Sequence, residues 1–188
     1  MPLRGPNPED ERKLHTEINQ IGNQRFILTT LALTLFGVLT TLMIPKEAPQ
    51  IGSSINVFPF TISVVLSLLL FGVYLWSHLL KNTMRILTSY LVETKKSSWE
   101  LDWREFRRDS YYAHTKPQTF IFLLINVIGI AFPFLLSWIY SLNIPFVVVP
   151  IAAVIVGIVT ELLIYLMGFH NLFDDEAKTE KRWQMLNK

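Results

Sequence analysis

The sequence predicts an all-α polytopic membrane protein: a four-helix transmembrane bundle with amphipathic cytoplasmic helices. Three observations lead there. First, charge is absent over long runs. No Asp, Glu, Lys or Arg lies between Arg25 and Lys46, between Glu47 and Lys81, or between Lys116 and Glu161. A bilayer core is roughly 30 Å thick and takes about 20 apolar helical residues to cross. The first two runs hold one crossing each, and the third holds two. Second, Lys and Arg are lopsided. The connections after the first and third crossings carry only Lys46, whereas 81–117 carries Lys81, Arg85, Lys95, Lys96, Arg104, Arg107, Arg108 and Lys116. The basic side is expected to be cytoplasmic. Third, the residues at each break suit turns rather than continued helix.

In chain order, 1–25 is read as an N-terminal cytoplasmic amphipathic helix. Asn7 suits the cap, Pro8 the first helical position, and Glu9, Asp10 and Glu11 the positive helix end. Leu14, Ile18 and Ile21 share one face. The start is acidic and proline-rich, unlike a cleavable signal peptide, so the first crossing is expected to persist in the mature protein. Residues 26–80 form the first transmembrane hairpin. Its first crossing ends at Pro45, and its second carries Pro59 in the first turn.

Residues 81–117 are a basic and aromatic cytoplasmic helical segment. Ser97 and Glu100 have capping-box spacing. Trp99, Trp103 and Phe106 then fall on one stripe, flanked by Arg104, Arg107 and Arg108. Aromatic rings with neighbouring guanidinium groups suit a headgroup layer or a docking surface for a cytosolic partner. Glu100, Asp102, Glu105 and Asp109 interleave with them and argue against direct nucleic acid contact. Residues 118–169 form the second hairpin, turned at 141–145. Residues 170–188 are a charged cytoplasmic tail.

Each crossing has a small or polar stripe. Thr30, Thr34, Gly37 and Thr41 mark the first; Ser63, Ser67, Tyr74 and His78 the second. Asn126, Pro133, Ser137 and Tyr140 mark the third; Ala153, Gly157, Glu161, Tyr165 and Gly168 the fourth. Small residues allow backbones to approach, and hydroxyls and amides bond between helices. Thr34, Gly37, Ala153 and Gly157 are therefore the candidate helix-packing positions.

Glu161 is the only formally charged residue within a crossing, and a carboxyl there is costly. It suits a hydrogen-bonded lock, a site for ions or protons, or a side chain reaching the interface. Asn126, Tyr74 and His78 join it as candidate gating residues, and His78 is its candidate partner by depth. The histidines match no metal-ligand spacing, and there is no cysteine. No metal or cofactor is expected. Glu161 has no second acid, no nucleophile stands beside a base, and no glycine-rich phosphate loop is present, so no enzyme is expected either.

The stretch Glu17–Leu31, EINQIGNQRFILTTL, resembles the lead-in of small bacterial membrane proteins. The overall plan is similar to the four-pass membrane components of bacterial anti-phage defence systems, such as the membrane subunit of Kiwa. That resemblance lies in architecture and carries no functional residue across. It implies a membrane sensor or effector that works with a cytosolic protein. The small-residue faces and inner helices are read as those of a non-enzymatic oligomeric inner-membrane scaffold or sensor, surrounded by lipid, that engages a cytosolic partner. An oligomeric ion pore and a small proton-coupled transporter using Glu161 are the alternatives.

Overall fold

The computed structural model describes residues 7–47, 49–95, 115–144, 148–169 and 185. Trp99, Trp103, Arg104, Phe106, Arg107, Arg108, the Ser97–Glu100 capping pair and the tail, other than residue 185, lie outside the described residues. The architecture is all-helical: α1 (Pro8–Met43), α2 (Phe58–Lys95), α3 (Thr115–Ile139) and α4 (Val148–Phe169). All four are long and apolar enough to cross a membrane.

Local chemistry sets the ends of α1. The Asn7 side chain accepts a hydrogen bond from the Asp10 amide at 2.8 Å, and Pro8 follows it at the first helical position. This is the cap that the sequence predicts. At the other end Ile44 is extended, as a residue before proline prefers, and the helix stops. No break separates 1–25 from the crossing within the described residues. α1 runs unbroken for 36 residues, about 54 Å. α2 is likewise continuous past Leu80, for 38 residues and about 57 Å. Both therefore outrun a hydrocarbon core of roughly 30 Å. α3 and α4, at 25 and 22 residues, are close to its thickness.

The helices alternate in direction. Ser63 and Tyr74 of α2 meet Gly129 and Thr119 of α3, and Asn126 of α3 meets Gly157 of α4. α2 is the hub: it packs against α1, α3 and α4, while α1 lies more lightly on α3. Phe60, Leu66 and Leu70 of α2, Phe122 and Leu136 of α3, and Ile164 of α4 fill the interior. Phe60 meets Phe134 edge to face at 5.2 Å, and Tyr74 meets Phe122 likewise at 5.2 Å. Apolar residues also cover the outside; Trp138 is 80% exposed and Val148 is 78% exposed. Such surface is expected where lipid is the solvent.

The two connections at one end of the bundle clasp each other. Gly52, at φ 80°, turns the chain so that the Ser53 amide reaches the Gln50 carbonyl. Ser141, at φ 51°, ends α3. The Leu142 amide donates back to the Ser137 carbonyl and the Ser141 amide to the Trp138 carbonyl, the pattern of a left-handed helix terminus. Asn143 then joins the two loops. Its amide donates to the Ser53 carbonyl at 2.9 Å, and its carbonyl accepts from the Ile55 amide at 3.0 Å.

Candidate functional site

Two polar clusters interrupt the apolar interior. The first lies within the bundle, between α3 and α4. Asn126 is fully buried, and its Nδ2 donates to Glu161 Oε2 at 2.8 Å. The same nitrogen lies 3.3 Å from Thr160 Oγ1 and 3.4 Å from the Gly157 carbonyl. Thr160 Oγ1 itself donates to that carbonyl at 2.9 Å. Glu161 is only partly buried, so it stands at the rim of the α3–α4 seam rather than on the bundle axis.

His78 is not the partner of Glu161. Tyr74 and Gly168 lie at one level, through Thr119. From that level Glu161 is displaced one way along α4 and His78 the other way along α2. The axial separation is about 16 Å. Depth counted from the ends of two separate crossings could not register this offset; the packing of Gly168 against Tyr74 and Thr119 fixes it.

The second cluster lies at the end of the bundle opposite the clasp. Arg25 of α1 donates from Nη2 to Gln118 Oε1 of α3 and from Nε to Ser77 Oγ of α2 at 3.4 Å. Gln118 Nε2 donates to Ser77 Oγ and to Thr29 Oγ1, both at 2.8 Å. One network thus ties three helices together. Tyr74 adds a hydrogen bond to Thr119 at 3.0 Å, buried beneath it. Gly168 closes the fourth side, since a side chain there would run into Thr119 and Tyr74. Arg25, Tyr74, Ser77, His78, Lys81, Gln118 and Thr119 line one small cavity. His78 is 4% exposed and Lys81 3% exposed.

Of the packing positions, Ala153 and Gly157 are buried, with Gly157 set directly against Ile130. Thr34 and Gly37 do not pack against another helix among the described residues. Both are exposed, nothing lies within reach of a side chain built on Gly37, and Thr34 Oγ1 bonds back to its own helix at Thr30. The buried residues of α1 are instead Ile21, Ala32 and Met43.

Sequence reasoning passed over Arg25, Thr29, Ser77, Gln118, Thr119 and Thr160. A signal was present for two of them. Arg25 is the last charge before the first crossing, and Gln118 is the last amide before the apolar run of the third. Two such boundary residues at one membrane level can meet if their helices adjoin. Pro133 also shapes the contact between α2 and α3. Lacking an N–H, it leaves the Gly129 carbonyl without its helical donor, and Ser63 Oγ of α2 donates there at 2.7 Å.

These features define a four-helix, multi-pass membrane protein in contact with lipid. Comparison with protein family models, with characterised proteins and with solved structures gives no match.

Proposed function

We propose that the chain is a non-enzymatic scaffold or sensor of the bacterial inner membrane that self-associates and engages a cytosolic protein, in a setting such as anti-phage defence. The observation that carries this reading is the free face of α1. Only 11% of its most apolar stretch is buried within the chain. Thr30, Thr34, Gly37 and Thr41 all point outward there. The three threonine hydroxyls donate to carbonyls of α1 itself, so the face leaves no hydroxyl donor unspent and is slight enough for a second helix to approach. The filled interior favours a scaffold over a pore through one copy, which would have to displace Phe60, Leu66, Leu70 and Phe122.

The basic end, by the distribution of Lys and Arg, is taken as cytoplasmic. α1 and α2 extend past the hydrocarbon on that side, and the sequence that follows α2 carries Trp99, Trp103 and Arg107. The test is the mass of the complex solubilised in mild detergent. The parent chain is expected to be oligomeric and Gly37→Leu largely monomeric; a monomeric parent refutes self-association. A soluble protein should co-purify with the parent and be lost on replacing Trp99, Trp103 and Arg107 together.

One observation favours a second reading, an oligomeric ion pore. Glu161, held by the buried Asn126, brings a carboxyl to the rim of the α3–α4 seam, where several copies together would surround it. Ion flux in liposomes separates the two readings. Equal background flux for the parent and Glu161→Gln removes the pore.

A further inference from the structure

The seam between α3 and α4 lacks one hydrogen-bond donor. We propose that Glu161 supplies it, so that Glu161 and Asn126 form a binding site for a single proton, held between the carboxyl and Asn126 Oδ1. Asn126 is fully buried, and its Oδ1 has no hydrogen-bond partner among the described residues. A buried acceptor of this kind calls for a donor. The neighbouring donors are already spent. One hydrogen of Nδ2 goes to Glu161 Oε2 at 2.8 Å, and the other faces Thr160 Oγ1 and the Gly157 carbonyl. The Thr160 hydroxyl donates to the Gly157 carbonyl at 2.9 Å. An ionised carboxylate only accepts, whereas a protonated carboxyl keeps an acceptor and gains an O–H.

A carboxylic acid and a primary amide match each other edge to edge. The amide N–H donates to one carboxyl oxygen, and the acid O–H donates to the amide oxygen. The first of these two bonds is present. Rotation about the last side-chain bond of Glu161, a soft torsion, turns Oε1 towards Oδ1 for the second. Turning the amide over leaves the same requirement. Oδ1 would then face Oε2, and a proton would have to lie between them.

The surroundings favour the neutral pair. Among the described residues no cation stands beside Glu161. The only other titratable group of α4 is Tyr165, about one turn away. α3 has none between Lys116 and Tyr140. On α2, Tyr74 lies at the level of Gly168, about 10 Å along α4 from Glu161, and His78 lies further still. Arg25 belongs to the network at the basic end, beyond Tyr74. Hydrocarbon makes an unpaired carboxylate costly, and a bound proton removes the charge. The part of Glu161 that the bundle leaves uncovered faces lipid, which opens the site to an apolar reagent.

The pair lies within one chain, so it stands apart from the self-association proposed above. The full-length chain is reconstituted in liposomes and treated at neutral pH with dicyclohexylcarbodiimide, an apolar reagent that reacts with protonated carboxyls. Mass spectrometry of the digested chain should find the adduct at Glu161. The labelling rate should fall in alkaline buffer, towards roughly tenfold per pH unit as the proton is lost. Infrared spectra in an ester-free detergent at neutral pH should show the C=O stretch of a neutral carboxylic acid. That band should vanish in Glu161→Gln and persist in Glu47→Gln, which removes a carboxyl outside the crossings. In Asn126→Ala it should move to higher frequency, because the amide hydrogen bond is gone. Carboxylate bands alone at neutral pH, with no adduct at Glu161, overturn the proposal and leave Oδ1 to a buried water. A band that Asn126→Ala does not move overturns the pairing. Should Asn126→Ala fail to fold, the parent band measured against a carboxylic acid diluted in alkane decides the same point.

Discussion

At the residue scale, the bundle is held by a few polar atoms whose alternatives in hydrocarbon are poor. Ser63 illustrates this. Its hydroxyl satisfies a carbonyl that Pro133 deprives of its own donor. Ser63→Ala is therefore expected to lower stability in detergent by about 1 kcal/mol. In a Pro133→Ala background most of that loss should vanish, because residue 133 then supplies the missing amide. Thermal unfolding of the four chains of this cycle measures the coupling, and additive effects would refute the account. The pair Asn126 and Glu161 makes an asymmetric prediction. Glu161→Gln retains an acceptor for Asn126 Nδ2 and should cost under about 0.5 kcal/mol. Asn126→Ala removes the donor that faces Glu161, Thr160 and Gly157, and should cost about 1–2 kcal/mol by the same assay.

At the element scale, the turns and the close helix contacts carry the specificity. Ser141 sits at φ 51°, a left-handed position that glycine occupies at lower cost. Ser141→Gly should leave the fold intact and raise thermal stability by about 0.5–1 kcal/mol. A destabilised variant would show that the Ser141 side chain has a role the backbone geometry does not reveal. The glycines divide by what they face. A side chain at Gly168 would collide with Thr119 and Tyr74, whereas one at Gly37 would meet nothing. Both glycines belong to small-residue stripes visible in the sequence. Spacing identifies a face that permits close approach; it does not say whether the approaching helix belongs to the same chain. The stripe Ser63, Ser67, Tyr74 and His78 faces inward, because α2 has neighbours on three sides. The stripe of α1 faces outward because α1 leans chiefly on α2 and presents Ile21, Ala32 and Met43 to the bundle.

At the scale of the whole molecule, alternating direction puts the start of α1, the end of α2, the start of α3 and the end of α4 at one face. The clasp of residues 52–55 with 141–143 lies at the other. The absence of cysteine makes the orientation directly testable with single introduced thiols. In intact cells, a membrane-impermeant maleimide should label Lys46→Cys and should reach Glu9→Cys only after the membrane is opened. The reverse pattern would turn the protein over. Equal labelling of both in intact cells would contradict alternation itself.

The sequence by itself determined the four crossings, the cap at Asn7 and the inward stripe of α2. Each of these follows from interactions local to one helix or from the solvent that surrounds it. Hydrocarbon rejects charge wherever the chain folds, and a helix N-terminus needs an acceptor from its nearest residues. Only the tertiary structure decided that Glu161 meets Asn126 instead of His78, that Arg25 and Gln118 join three helices around a cavity, and that Ser63 replaces the donor lost at Pro133. Those outcomes depend on the relative slide of neighbouring helices. A shift of one turn moves every partner by about 5.4 Å, further than a hydrogen bond can span.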